Sequence, residues 1–472
     1  MNRGRIVLVA TLVMSLGITE TGQAGQATES QAKVFTVPQA VEFALTNYPA
    51  VRASLEQYNT ARAGVGLART NYVPFVSALD QTARGTRNSV LGVLLPQFPT
   101  ILTGTQGTVT PAASQAYTVS GMGVLFTWEP FTLGYRHSIV QSAQASANLA
   151  SAQVDLTRLG VASSAANASL AVLADEQRVK ASVADVTRRE VFDRSVHALV
   201  DAHLRPGADA SRADAELAVA RTHLIETQET EEVDKVAFAE LLGIAGVPVE
   251  IQPGRFLEAP PEEILTQMPL SQHPAAVVEQ RRIEEIQSRL DVIDRSYFPH
   301  LYLEELTSGR GSDELSAAKN APGATLSGFL PSVFNWQAGV TVQMNLSDWF
   351  GRRERQKIEQ ANERREEALY DQTKQTIIGQ VQRSLAALNG ARRVAENTPV
   401  ELAAARQSEA QARARFQAGV GTIVDVAQAQ GLLVQAEIDD SLARLSIWRA
   451  LAALAAGEGD LTPFLNLAGA KP

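Results

Sequence analysis

The 472-residue chain is 45% hydrophobic and 20% charged, a balance that supplies a buried core and excludes global disorder. A formal net charge of −9 argues against nucleic acid as the principal partner. The sequence contains no cysteine, which excludes disulfides, thiol catalysis, thiolate metal sites and a lipidated N-terminal cysteine.

Residues 1–24 read as a secretory signal. Arg3 and Arg5 give the charged region, Ile6 to Ile18 the apolar run, and Gly22-Gln23-Ala24 a small-residue cleavage site. Gly25-Gln26-Ala27 serves equally, which moves the cleavage to after residue 27. A retained anchor is the other reading, although the apolar run is short for one. Further along, no stretch of about 20 apolar residues occurs, so no transmembrane helix is expected. An exported protein of that kind is either soluble or crosses an outer membrane as a β-barrel.

The rest of the chain is written nearly twice. Asn47-Tyr48-Pro49-Ala50 aligns with Gln272-His273-Pro274-Ala275, and Tyr72-Val73-Pro74 with Tyr297-Phe298-Pro299, both at an offset of 225 residues. Gly134 matches Gly351 at an offset of 217, and Asp209 with Ala213 matches Asp425 with Ala429 at 216. Self-similarity over such a length means one structural unit built twice. The first unit, 25–246, reads as a helix, a strand pair at about 72–130, a long helix over 134–202 and a shorter one over 208–242. A proline-rich linker, 247–273, is expected to be irregular. The second unit, 274–459, repeats the order: helix, strand pair at about 297–347, long helix 350–418, shorter helix 422–455, then a tail over 460–472.

Strand character is clearest at Asn335 to Leu346. Trp336, Ala338, Val340, Val342, Met344 and Leu346 alternate strictly with Asn335, Gln337, Gly339, Thr341, Gln343 and Asn345. One face meets an apolar medium and the other a polar one, and the length suits a membrane β-strand of roughly 9–11 residues. An ordinary sandwich strand fits the same pattern. The first-unit counterpart runs from about Tyr117 to Trp128, while Val73 to Ala83 and Pro299 to Leu306 alternate less cleanly. Four strands cannot close a barrel of at least eight, so oligomerisation is the simplest repair.

In the long helix of the second unit, Ile377, Val381, Leu385, Leu388, Ala391 and Ala395 are spaced at the helical period. At 1.5 Å per residue the segment spans about 100 Å, the length of a coiled-coil-like stalk. Pro399 is expected to kink or break it.

In its order of motifs the sequence resembles the TolC family of outer-membrane efflux ducts over nearly all of the chain past the signal. Ala40-Val41, Ala44-Leu45, Asn47, Pro49, Ala61, Ala68 and Pro74 are similar to that family's helical entry into a strand. Trp128-Glu129-Pro130-Phe131 through Gly134, and Leu346-Ser347-Asp348-Trp349-Phe350-Gly351, resemble its strand-to-helix junctions. Phe416-Gln417-Ala418-Gly419-Val420-Gly421-Thr422-Ile423-Val424-Asp425-Val426 resembles its periplasmic helical hairpin tip. The resemblance implies an α+β membrane protein that assembles as a homotrimer. Each chain would add four transmembrane β-strands to a 12-stranded barrel, and its long helices would line a periplasmic tunnel. It also implies a periplasmic adaptor and an inner-membrane transporter as partners, outer-membrane lipid around the barrel, and no chemistry or cofactor in the duct itself.

Carried over residue by residue, the resemblance places Asp425 at the family's constricting aspartate. Gln428 stands where the best-known member has a second aspartate, and Gly421 where it has a basic residue. Asp209 takes a polar tip position in the first unit. Three Asp425 carboxylates around one axis would attract cations and repel one another; the plain alternative is that Asp425 caps or solvates a helix start. The tip turns, Leu204-Arg205-Pro206-Gly207 and Gly419-Val420-Gly421-Thr422, are the expected adaptor contacts. Trp128, Phe131, Tyr297, Trp349 and Phe350 are expected as membrane-interface aromatics, against the alternative of ordinary core packing.

Enzyme signatures are weak. Ser316 and Lys319 fit S-x-x-K without the companion motifs, and the six histidines show no H-E-x-x-H spacing. The acidic cluster Glu229, Glu231, Glu232 and Asp234 reads as a solvated helix face. The function the resemblance implies is an outer-membrane exit duct of a tripartite efflux pump, passive and non-enzymatic. An outlet for type I polypeptide secretion is the alternative within the class, and a trimeric surface stalk or adhesin the alternative outside it.

Overall fold

The computed structural model describes residues 32–86, 116–258, 269–312, 328–331 and 333–469. The signal sequence, the Ser316–Lys319 motif and most of both inter-strand loops lie outside the described residues.

The chain begins with a short strand, β1 (Lys33–Phe35), and α1 (Val37–Asn47). A capping box starts α1: the Thr36 hydroxyl accepts from the Gln39 N–H at 3.4 Å, and Gln39 Oε1 accepts from the Thr36 N–H at 3.1 Å. Tyr48 is extended (φ −66°, ψ 127°), as a residue before proline must be, and Pro49 opens α2 (Pro49–Thr70). The chain then enters β2 (Phe75–Thr86) and returns as β3 (Ala116–Phe131). Gly134, at φ +90°, caps the 67-residue helix α3 (Tyr135–Asp201), and α4 (Gly207–Leu241) runs back along it. After β4 (Val249–Ile251), His273 (φ −61°, ψ 128°) and Pro274 open α5 (Pro274–Arg295) with the geometry of Tyr48 and Pro49. Both proline-led helices are 22 residues long. The strands β5 (His300–Ser312) and β6 (Val333–Gln343) follow, then α6 (Asp348–Gln417, 70 residues), α7 (Ile423–Glu458) and α8 (Thr462–Gly469).

The four longer strands form one antiparallel sheet in the order β2-β3-β5-β6. Register places Val76, Phe126, Glu305 and Ala338 in one row, and Trp128, Leu303 and Val340 in another. That face is mostly apolar. The opposite face carries Ser77, Thr127, Glu304, Gln337 and Thr341, with the Thr341 hydroxyl donating to Glu304 Oε2 at 3.0 Å. Among the described residues β2 and β6 are edges, and β6 is exposed along its whole length. A row of unpaired backbone groups on an exposed strand is a template for another chain.

Three expectations need correction. Residues 247–273 are not simply an irregular linker: β4 pairs in parallel with β1, and Phe256 packs edge-on to Trp448 with ring centroids 4.9 Å apart. The C-terminal tail includes α8, whose Phe464 is fully buried near the same tryptophan. Together with Phe238, Leu170 and Leu173 these form the largest core cluster among the described residues, midway along α3 and α6. Finally, of the kink or break expected at Pro399, the break does not occur, and α6 is helical through that residue. Thr398 immediately before it donates to Asp440 on α7 at 3.3 Å, and Ala405 beyond it packs on Leu433 and Ala436. This packing on both sides of the proline offsets the one backbone bond it removes.

Candidate functional site: the paired helical tips

The far ends of the two helical hairpins meet. The α3–α4 turn is built by His203, at φ +54°, and by the Leu204 N–H, which donates to Leu199 O at 2.9 Å. The α6–α7 turn uses Gly419 at φ +79°, a left-handed position that suits glycine. At Gly421 a Cβ would sit 3.0 Å from the Phe416 nitrogen and 3.1 Å from the Arg415 carbonyl carbon, so a side chain there would crowd the turn. Gly421 N–H donates to Arg415 O at 3.0 Å.

Arg205 fastens the two turns together. Its Nη2 donates to Phe416 O at 2.6 Å and to Gly421 O at 3.3 Å. Its guanidinium lies 4.3 Å from the Phe416 ring centroid, within cation–π range. Asp209 is half-buried and 4.0 Å from Arg205 Nη1, so it counters this cation from within the same turn. Behind the clamp, Phe192 and Phe416 meet edge to face at 5.2 Å, with Val196, Ala213, Ile423 and Val426 buried around them. Leu204 and Val420 point out instead, 70% and 72% exposed. Pro206 precedes α4 as its extended N-cap residue, and Gly207 is the first helical residue.

Asp425 sits at the third position of α7 and closes a capping box. Its Oδ2 accepts from the Thr422 N–H at 3.0 Å and from the Thr422 hydroxyl at 2.8 Å, while the Asp425 N–H donates back at 3.2 Å. These bonds, first the backbone one and then the hydroxyl, hold its carboxyl below the usual aspartate value, with the Arg415 charge helping. The side chain is nevertheless exposed, and with Gln428 it lines a groove between α6 and α7 that also holds Ser408, Gln411 and Arg415. The two readings of Asp425 are thus compatible: one oxygen caps the helix, and the carboxylate still faces a groove.

At the opposite end, the aromatics gather where sheet becomes helix. Trp128 Nε1 donates to Tyr72 O at 3.2 Å. Tyr297 and Trp349 meet edge to face at 5.4 Å, and Arg353 lies 4.8 Å over the Trp349 ring. Arg352 stands beside both rings and pairs with Asp294 at 3.0 Å. Phe131 and Phe350 are exposed and free to meet an apolar medium. Below them, Glu129 accepts from Arg136 at 3.1 Å and contacts His300, which ties β3, α3 and β5 together.

The sequence marks Arg205 only as part of a tip turn and expected adaptor contact; it does not show the clamp or the ring pair behind it. The motif around Arg205 was visible as a tip turn, but its partners Phe416 and Gly421 lie more than 200 residues away.

A four-stranded sheet joined to two long helical hairpins is a fold found among solved outer-membrane channels. The fold of VceC, the outer membrane protein from Vibrio cholerae, matches with a TM-score of 0.70 at 16% identity, over 90% of this chain and 96% of that one. The Campylobacter jejuni CmeC outer membrane channel matches with a TM-score of 0.69 at 13% identity, over 94% of each chain. In sequence, protein CyaE of Bordetella pertussis is 25% identical over 432 residues, 90% of this chain and 84% of that protein. Residues 265–459 match the family described as outer membrane efflux protein. Residues 265–459 thus carry the sequence of an outer membrane efflux protein, and the chain as a whole shares the fold of outer-membrane channels.

Proposed function

We propose that three copies assemble into a duct that carries small molecules out of the cell, from a periplasmic adaptor and an inner-membrane pump to the exterior. An exit duct in the outer membrane, for efflux or secretion, is what family and fold give; the trimer, the 12-stranded barrel, the two-fold repeat and the small-molecule cargo are the finer reading. The carrying observation is the sheet: four strands, one mostly apolar face, and two unsatisfied edges at β2 and β6. Edge pairing between neighbours gives every strand two partners and removes the exposed edges, as a membrane barrel requires. The repeat is supported by the matched Tyr48-Pro49 and His273-Pro274 helix starts. Efflux rather than polypeptide secretion is favoured by the family description of residues 265–459. The exposed Leu204 and Val420 are the surfaces proposed for the adaptor, and the Trp349 and Tyr297 cluster for the lipid interface. The hairpins support the periplasmic tunnel, since α3 and α6 each span about 100 Å at 1.5 Å per residue.

The test is purification from membranes in mild detergent, with the mass of the assembly read by native mass spectrometry and single-channel conductance read in planar bilayers. A conducting trimer is expected. A soluble monomer overturns the reading. Cells lacking the chain should also accumulate a fluorescent small-molecule pump substrate, and unchanged accumulation would return the cargo to polypeptides.

A further inference from the structure

We propose that Asp193, His197 and Asp214 form a binding site for a divalent transition cation of the zinc, nickel or cobalt class, bridging α3 and α4 just behind the tip. Asp193 and His197 are four residues apart on α3, so they lie one turn apart on the same face. Asp214 comes from the antiparallel partner α4. The His197 Nε2 lies 3.0 Å from Asp214 Oδ1 and 3.7 Å from Asp193 Oδ1, and one ligand atom from each of the three residues fits within 4.8 Å. An ion bound at roughly 2.0–2.2 Å from each needs ligand atoms a little over 3 Å apart, so small side-chain adjustments close the site.

Two features separate this group from an ordinary surface ion pair. The Asp193 Oδ1 is shielded from solvent and has no hydrogen-bond partner among the described residues, although it lies 3.7 Å from the imidazole Nε2. A buried carboxylate oxygen left unbonded is costly, and a cation would satisfy it. The donor set is also selective. One imidazole nitrogen with two carboxylates suits borderline metals, whereas magnesium and calcium take oxygen ligands. Three protein ligands leave a coordination position for water, and the more exposed Asp214 gives a path for entry.

The location gives the site a consequence. Phe192 and Val196, which flank these ligands in sequence, belong to the buried cluster that includes Phe416. A bound ion would staple α3 to α4 beside that cluster and oppose separation of the two helices there. The histidine spacings in the sequence did not reveal the site, because its third ligand comes from a different helix.

The experiment uses the full-length, untagged chain in detergent. Cobalt(II) is added and followed by visible d–d absorption, and zinc affinity is measured by competition with a chromophoric chelator. One ion per chain is expected in the wild type. His197→Ala and the exposed-site variant Asp214→Asn should each weaken zinc binding by roughly tenfold or more, since even outer-sphere partners cost that much. His223→Ala, on a separate exposed histidine, should leave affinity unchanged. Zinc should also raise the thermal midpoint of the wild type and not that of His197→Ala. Absence of saturable binding at one ion per chain, or equal affinity in His197→Ala, overturns the proposal. None of these three readouts depends on conductance or cargo, so the proposal fails or stands apart from the duct reading.

Discussion

Arg205 illustrates how one side chain can hold two distant turns. Its two bonds to backbone carbonyls and its stacking on Phe416 form a planar, multi-point contact that lysine cannot reproduce. Charged hydrogen bonds of this kind contribute about 1–3 kcal/mol each. Arg205→Ala should therefore loosen residues 416–421 locally, seen as faster amide hydrogen exchange there, and Arg205→Lys should rescue little of it. Unchanged exchange in both variants would mean the Phe192–Phe416 pair holds the tips alone. His273 is a second single-residue device. Its Nδ1 accepts from the Ala275 N–H at 3.1 Å and so caps α5 in the neutral form. Burial lowers its pKa below the ordinary histidine value of 6.5, against a smaller opposing bond to the Ala456 backbone. The unfolded chain thus takes up the proton first as pH falls through about 6.5, and stability drops from there down to the folded-state value. His273→Asn keeps an acceptor at the cap without a titrating ring. The thermal midpoint of the wild type should fall more steeply than that of the variant between about pH 7 and about pH 5.5. Parallel curves would remove His273 from the account.

At the level of elements, the β6 alternation makes a directional claim about faces. Val340 belongs to the mostly apolar face and Thr341 to the polar one, next to Glu304. Arg at 340 should cost roughly 2–4 kcal/mol if the site lies at the bilayer centre, and Arg at 341 clearly less. Urea titration of the folded protein in lipid measures both, and equal losses would indicate a strand buried on two sides. The same alternation explains why this strand was legible in the sequence, as were the long helices, whose apolar spacing persists over many turns. Boundaries shifted only slightly: the strand expected over 335–346 is Val333–Gln343, and α6 starts at Asp348, which puts Gly351 inside the helix while its counterpart Gly134 is an N-cap. What stayed hidden was short or non-local. β1 and β4 are three residues each, too brief for a period to show. Likewise α8, with eight residues, reads as a tail until Phe464 is seen against Trp448. At Pro399 the absence of a break was also not legible, because local propensity carries no knowledge of the contacts α7 makes on either side of it.

For the molecule as a whole, Asp425 matters most if its groove faces the axis of the proposed trimer. Three such carboxylates would concentrate cations at the mouth, and Gln428 beside each adds no charge. Asp425→Asn should weaken block by multivalent cations in single-channel recordings while the trimer assembles normally. Unchanged block would leave Asp425 as the partner of Thr422 alone. The open edges β2 and β6 also bear on how such a ring comes together. A lone protomer has one free edge of each kind, and joining a second copy consumes one of each while contributing one of each. The number of free edges therefore remains two for any open arc and falls to zero only on closure. Growth by itself relieves nothing. Partial assemblies are as adhesive as the monomer, so closure should be abrupt, and a protomer unable to complete the ring should end in aggregates instead of stable dimers.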